Sequence, residues 1–225
     1  MDWSPILISL RTAITAIIIT FFLGMYVAKW VFGMKSGKVK MLIDGLLTLP
    51  LVLPPTVVGF MLLYTFGINR PVGKFFLDYF SVRIVFSWSA TVIAAVVISF
   101  PLMYRAARGA FEQVDMNLIY AGRTLGMSES RIFWRVLMPA ALPGVASGGI
   151  LAFARGLGEF GATAMIAGNI AGKTRTLPLA IYSDVAAGNM EGAYNYVLII
   201  VAISFLIVLL MNYFTSKERR YKMKR

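Results

Sequence analysis

Long apolar segments, separated by short polar ones, run along the whole chain. A helix needs about 20 apolar residues to cross the hydrocarbon core of a bilayer, and five segments reach that length. They cover residues 6–31, 41–66, 84–104, 136–163 and 193–214. The pattern predicts an all-α membrane protein with five transmembrane helices, folded as one transmembrane domain over residues 1–225.

Two features interrupt this pattern. The second segment contains "PLVLPP", in which Pro50, Pro54 and Pro55 predict a broken helix at mid-membrane. Backbone groups freed inside a bilayer are tolerated only where they are buried in protein or line a cavity, so these prolines are candidates for a translocation pathway. Residues 176–188, "TLPLAIYSDVAAG", are too short to span and predict a helix at the outer interface.

The composition agrees with a membrane protein. Hydrophobic residues make up 59% of the chain, mean hydropathy is +0.76, and charged residues make up 14%, against about 25% in soluble domains. The net charge of +12 also raises the possibility of a nucleic-acid binder, but such proteins cluster their cations on one soluble face. Here the cations fall between apolar segments, so no nucleic-acid partner is expected.

The distribution of Lys and Arg predicts the orientation, because cytoplasmic loops carry an excess of these residues. The first loop carries four cations, the third loop five and the C-terminal tail six, fifteen of the 22 in the chain, whereas the second and fourth loops share five. An N-terminus outside and a C-terminus in the cytoplasm fit this count. The protein is expected in the cytoplasmic membrane of a prokaryote.

Several kinds of chemistry have few residues to support them. The chain has no Cys and no His, which excludes disulfides and thiolate metal sites and removes the commonest general base. We therefore expect neither an enzyme nor a metal site. The start, Met1 to Ser4, lacks the basic region of a signal peptide, so the first span is expected to remain in the mature protein.

Residues 115–135 interrupt the apolar pattern with a compact, charged segment. Asp115 is placed to cap a helix that ends at Gly126, and Ser128 to cap a second short helix. Arg123 and Arg131 are then expected to face the cytoplasm. Two interpretations remain open: an ordinary positively charged loop, and a rigid docking element that transmits force from a partner.

The fourth apolar segment carries two charges, Arg155 and Glu159. Ionisable residues in a span usually face the protein interior or a wet cavity, and a spacing of four allows these two to pair on a helix. They either pack together or lie beside an anion path, together with Gly161. Small residues at every fourth position from Gly144 to Gly156 favour close helix packing, within one chain or across a dimer.

The stretch "AGNIAGKT" (167–174) resembles a phosphate-binding loop. The motif requires Gly, four residues and then Gly-Lys-Ser/Thr after a strand, but Ala167 occupies the position of the first glycine and no strand is predicted before it. We therefore expect this chain to bind no ATP.

The charged segment resembles the cytoplasmic signature of ABC importer permeases. That signature is Glu-Ala-Ala, three residues, Gly, nine residues and then Ile-x-Leu-Pro; Ala121, Gly126 and Pro139 match it at the same spacing. Tyr120 and Gly122 depart from it. The resemblance implies that the following residues contact an ATPase: Ala121, Gly122, Arg123, Gly126, Met127, Arg131 and Pro139.

Further stretches, "LPLVLPPTVVGF" (49–60) and "FARGLGEFGA" (153–162) among them, resemble the molybdate branch of that family. The resemblance implies the type I ABC importer permease fold and a homodimer that forms the path of a tetrahedral oxyanion. It also implies two cytoplasmic ATPase subunits, which bind ATP and Mg, and an extracytoplasmic oxyanion-binding protein. Tungstate or sulfate remain alternatives to molybdate, and an ion-coupled secondary transporter is the alternative from a different class.

Overall fold

The described part of the chain is entirely helical. The computed structural model covers residues 2–35 and 37–222, without the side chains of 210 and 212–222. The helices are α1 (Ser4–Phe32), α2 (Lys38–Val52), α3 (Pro55–Phe66), α4 (Pro71–Phe80), α5 (Trp88–Glu112), α6 (Met116–Thr124), α7 (Glu129–Ile132), α8 (Met138–Leu157), α9 (Gly161–Ala167), α10 (Leu177–Ala186) and α11 (Met190–Lys222), with a π-helical turn at Phe133–Leu137.

Four helical runs are long and apolar enough to cross a membrane: α1, α5, the run from α7 through α8, and the first 20 residues of α11. The pair α2–α3 forms a fifth if it is counted as one broken span. Its two helices meet at 109°, a sharp break at the position where the prolines predicted a broken helix. Pro50 lies inside α2, so the break comes from Pro54 and Pro55 alone.

The centre of the molecule is the packing of α1, α5 and α8. Close approach depends on small residues, since a Cβ on Gly24 of α1 would lie 2.7 Å from Cγ of Met103 on α5. Buried hydroxyls add hydrogen bonds between α1 and α5: Thr12 to Thr91 (2.9 Å) and Thr20 to Ser99 (3.2 Å). Buried polar groups must be paired in this way because no water is available to them.

Two of the predicted spans differ in their bounds from the helices of the structure, and one helix was not predicted. The third span begins at Trp88 rather than at residue 84, because the preceding residues are extended and Phe86 has a positive φ of 58°. The fourth helix ends at Leu157, so Glu159 lies beyond it, in a short break before α9. Helix α4 is an additional element that the apolar pattern did not predict.

A helix, α10, is present within residues 176–188, where a short helix was predicted, and the last helix continues to Lys222. The tail cations, on which the predicted orientation partly depends, lie outside the residues and side chains that the structure describes.

Candidate translocation and coupling sites

The segment between α5 and α8 folds as its caps predict. The carboxylate of Asp115 accepts a hydrogen bond from the N–H of Asn117 (2.9 Å) at the start of α6. Past the end of α6, Gly126 has a φ of 70°. The N–H of Met127 donates to the carbonyl of Gly122 (3.0 Å) and that of Gly126 to the carbonyl of Arg123 (2.9 Å), the pair of bonds that defines a Schellman motif.

The two short helices are joined by an ion pair. Ser128 caps α7 by accepting from the N–H of Arg131 (3.4 Å). Arg123 donates to both carboxylate oxygens of Glu129, at 2.7 and 3.2 Å. This bond lowers the pKa of Glu129 below its ordinary value. Arg123 is exposed, as predicted, but its guanidinium holds α6 against α7 rather than standing free.

The departure of Gly122 from the family signature has a steric explanation. Gly122 is buried, and a Cβ at this position would lie 3.1 Å from Cγ1 of Ile132. Glycine lets α6 approach α7 closely. Tyr120, the other departure, is 53% exposed, and Leu125, the residue after α6, is 79% exposed. The outer side of this helix end therefore carries large, exposed apolar side chains.

The inner side of this segment is packed firmly on the membrane helices. Ile119, Ile132 and Phe133 are buried in one cluster with residues of α1 and α5, and the rings of Phe111 and Phe133 lie 5.7 Å apart. Lys29, near the end of α1, places its ammonium 4.0 Å from the centre of the Phe133 ring. These contacts connect α6 and α7 directly to the core.

Pro139 does not stand at the start of a separate helix. It lies in one continuous helical run, after α7 and the π-helical turn. The N–H of Met138 donates to the carbonyl of Phe133 and so connects the π-helical turn to α8. A proline inside a helix clashes with the carbonyl four residues earlier, and the wider π turn accommodates that clash.

Arg155 and Glu159 form the predicted pair, with Nη1 of Arg155 2.8 Å from Oε2 of Glu159. Glu159 is 2% exposed, whereas the side chain of Arg155 is 32% exposed. The other oxygen of Glu159 accepts from the N–H of Ala162 (2.7 Å) in the first turn of α9. The pair therefore fixes the end of α8 to the start of α9.

Helix α9 in turn crosses α3 at very short range. A Cβ on Gly59 would lie 2.6 Å from Cα of Ala162, and one on Gly161 would lie 3.1 Å from Cβ of Pro55. The structure thus brings Pro55, Gly161, Glu159 and Arg155 into one chain of contacts between the broken second span and the end of the fourth. Pro50 is not part of it.

The stripe of small residues on α8 packs within the chain. A Cβ on Gly144 would lie 2.8 Å from that of Ala110, and one on Gly148 would clash with Ala106, both on α5. Packing within one chain, the first of the two interpretations left open by the sequence, therefore accounts for these residues.

The loop that resembles a phosphate-binding motif is closed by its own side chain. Thr174 is buried; its hydroxyl accepts from the N–H of Ile170 (3.0 Å) and donates to the carbonyl of Gly168 (3.3 Å). Helix α9 precedes the loop instead of a strand, so the context of a nucleotide site is lacking here.

One charged cluster was missed from the sequence. Asp44, on α2, is bonded by Arg108 and by the hydroxyl of Tyr104 (2.8 Å), both on α5. A carboxylate three residues into the broken apolar segment (41–66) was the signal that could have indicated it. Elsewhere among the described residues, no three His, Cys, Asp or Glu side chains are grouped as metal ligands.

These features can be compared with known proteins. Residues 20–220 match the family described as "Binding-protein-dependent transport system inner membrane component". The chain belongs to this family. It is a permease subunit of an ABC importer, and the family together with the apolar helices confirms the predicted place in the inner membrane of a prokaryote.

Relatives with curated names match nearly the full chain. The molybdenum transport system permease protein ModB of Escherichia coli (strain K12) is 41% identical over 221 residues, 97% of this chain and 96% of the relative. ModB of Haemophilus influenzae is 40% identical over 223 residues, 99% and 97% of the two chains.

A solved structure supports the predicted fold. An inward-facing form of the MetNI methionine ABC transporter matches with a TM-score of 0.74 at 17% identity, over 95% of this chain and 94% of that one. The type I ABC importer permease fold is thereby confirmed.

Proposed function

We propose that this chain forms the translocation pathway of an ATP-driven importer for a tetrahedral oxyanion, and that the anion is molybdate. The observation that carries the proposal is the match to the family signature in an α6–α7 unit whose inner side packs on the core and whose outer side is exposed. The two relatives named for molybdenum transport, similar over their whole length, favour molybdate over tungstate or sulfate.

In this proposal residues 115–135 are cytoplasmic and seat in a cleft of an ATPase subunit. The exposed apolar side chains of α6 provide contact area, and Gly126 and the Arg123–Glu129 pair hold the shape of the surface. The contact residues are those that the signature implies, namely Ala121, Gly122, Arg123, Gly126, Met127, Arg131 and Pro139. Of these, Gly122 acts from beneath the surface by allowing α6 to lie close to α7.

In this proposal the pathway runs beside the crossing of α3 and α9, which shapes its wall. Pro54 and Pro55 redirect the second span, Gly161 allows α9 to approach, and Arg155 with Glu159 fixes that end of α9. Pro50 belongs to α2 and has a lesser part. Two copies of the chain, two ATPase subunits that bind ATP and Mg, and an extracytoplasmic oxyanion-binding protein make up the proposed complex, with the N-terminus outside and the C-terminus in the cytoplasm.

The proposal is tested by reconstituting the chain in vesicles with the ATPase and the binding protein of the same organism. We expect molybdate uptake that requires ATP and both partners, with tungstate and sulfate measured as competitors. Native mass spectrometry should give two permease and two ATPase chains. The permease alone should hydrolyse no ATP, and Lys173→Ala should change nothing. Uptake that follows an ion gradient without ATP would instead indicate a secondary transporter.

A further inference from the structure

Helix α2, the first half of the broken second span, is bonded to α5 through a polar cluster. Asp44 accepts a hydrogen bond from the hydroxyl of Tyr104 at 2.8 Å and forms an ion pair with Nη1 of Arg108. Nε of Arg108 also bonds Oε1 of Glu112 at 2.8 Å. The guanidinium therefore joins a carboxylate of α2 to a carboxylate of α5.

Few other contacts hold α2 in place. None of its residues is fully buried, and Leu42, Leu46 and Leu49 are exposed to the surroundings of the chain. Ile43 and Leu47, which are partly buried, pack against the core beside the cluster. Apolar packing of this kind is not directional, whereas a charged hydrogen bond fixes geometry, so the position of α2 against α5 depends on Asp44.

The cluster also lies between the two sites described above. Arg108 is in the last turns of α5, and only Gln113 and Val114 separate the end of α5 from Asp115, the cap of α6. In the other direction, α2 leads through the 109° break into α3, which crosses α9. A connected route thus runs from α6 to α3 by way of Arg108 and Asp44.

We propose that Asp44 is a positioning residue for transport, which makes α2 and α3 follow the movement of the cytoplasmic end of α5. This inference rests on the proposed function, in which residues 115–135 receive force from an ATPase. Without the carboxylate, α5 and α6 still move with the ATPase, but α2 is no longer drawn with them. ATP is then consumed without a matching movement of the pathway.

The test compares Asp44→Asn with two further variants. Asp44→Glu keeps the charge and should retain most of the oxyanion uptake. Glu112→Gln is the matched control, because it removes the other carboxylate bound to Arg108 but makes no link to α2. Each is reconstituted with ATPase and binding protein, and oxyanion uptake is divided by ATP hydrolysed. We expect that ratio to fall at least tenfold in Asp44→Asn and less than twofold in the other two variants.

A second readout does not depend on transport. Because the chain contains no cysteine, a pair of cysteines can be introduced into one chain, at Val39 on α2 and at Gln113, and spin-labelled. Both positions are exposed. The distance between them should be narrowly distributed in the wild type and in Glu112→Gln, broad in Asp44→Asn, and narrow again in Asp44→Glu.

The outcomes separate this inference from the proposed function. If the wild-type complex takes up no oxyanion, the proposed function fails, and the label distances still decide whether Asp44 positions α2. If Asp44→Asn loses only abundance or melting temperature and keeps its ratio of uptake to ATP, the carboxylate has a purely structural role and the inference is overturned. An equal loss in Glu112→Gln would overturn it as well.

Discussion

Glu159 lies 2.8 Å from Arg155 although the helix that carries Arg155 ends at Leu157. The i,i+4 spacing therefore bridges a helix end instead of lying along a helix face. The carboxylate serves two partners, since its other oxygen accepts from Ala162 N–H. We expect the Glu159 carboxylate to contribute more to stability than a surface ion pair does, because it is buried and fixes the direction of α9.

Removing this carboxylate should destabilise the protein in two stages. Glu159→Gln keeps an acceptor for Ala162 but leaves Arg155 without its partner, and Glu159→Ala loses both contacts. We expect losses of about 1 and about 2–3 kcal/mol in the free energy of unfolding, at or below the lower end of the range of about 3–5 kcal/mol for fully buried pairs, because Arg155 is partly exposed. Thermal unfolding in detergent measures both. Glu112→Gln, in a more exposed i,i+4 pair, should cost about 0–1 kcal/mol.

The same variants decide between packing and an anion path. If the pair only packs, Arg155→Gln with Glu159→Gln should regain both stability and uptake. If Arg155 lies beside the path, Glu159→Gln should bind molybdate more tightly and release it more slowly, because an unpaired cation retains an anion. Equilibrium binding and uptake rates in vesicles distinguish the two outcomes.

The crossing of α3 and α9 should be intolerant of a methyl group. In Gly59→Ala the new Cβ would lie 2.6 Å from Cα of Ala162 and 2.9 Å from its carbonyl oxygen, and backbone cannot yield as a flexible side chain does. We expect a cost of about 1–3 kcal/mol from overpacking and slower uptake. Gly45→Ala on α2 is the control, since no heavy atom lies within 4 Å of its Cβ. It should be neutral or stabilising by up to about 1 kcal/mol. Equal behaviour of the two variants would contradict the crossing.

The features predicted from the sequence depend on interactions between residues that are close along the chain. The caps at Asp115 and Ser128 and the turn at Gly126 depend on residues a few positions away, so local chemistry indicates them. The length of α1 follows from its apolar run. These features needed no knowledge of the tertiary structure.

The features that were missed depend on distant residues. The 109° angle after Pro54 accompanies the packing of Gly59 on Ala162, whereas the prolines alone indicate only that a break occurs. The bond of Arg108 to Asp44 joins residues 64 apart. The end of α8 at Leu157 was not predicted. Arg155 and Glu159 are four residues apart, a spacing typical of a pair on one helix, so the sequence indicated a helix that continues past Glu159.

The orientation can be tested on the intact protein, because the chain contains no cysteine. Ser130 and Lys173 are both exposed and lie in segments that the Lys and Arg count places on opposite sides. An impermeant maleimide should label Lys173→Cys in intact cells and Ser130→Cys only after permeabilisation. The reverse pattern would remove residues 115–135 from the cytoplasm and the proposed coupling role with it.

The Arg123–Glu129 pair predicts a pH dependence. Hydrogen bonding by Arg123 lowers the pKa of Glu129 in the folded state. The contribution of the pair to stability is therefore present above the unfolded-state pKa and is lost as pH falls through the folded-state pKa. Arg123→Gln should return the pKa of Glu129 to its ordinary value near 4.5. Carbon-13 NMR of the Glu129 carboxyl in micelles measures the shift, and an unchanged pKa in the variant would contradict the pairing.

Gly126 offers the sharpest test of the coupling segment. Its φ of 70° is the left-handed conformation, and no heavy atom lies within 4 Å of a Cβ built there. A valine at this position therefore meets backbone strain without a clash, at a cost of about 1–2 kcal/mol. Gly172 has the same φ and equally open space, but it lies in the loop predicted to be external. Gly172→Val is thus a control with equal strain at a different place.

We expect both valine variants to insert at near-normal abundance, because this strain is small beside the burial of the spans. Gly126→Val should break the Schellman turn, tilt α6 against α7 and lose most ATPase binding and uptake. Gly172→Val should keep both, and Gly126→Asn should recover much of the loss, since Asn tolerates the left-handed region. Co-purification with the ATPase and uptake in vesicles measure the difference. If Gly126→Val retains the ATPase and full uptake, or if Gly172→Val loses them equally, residues 115–135 are only a positively charged loop.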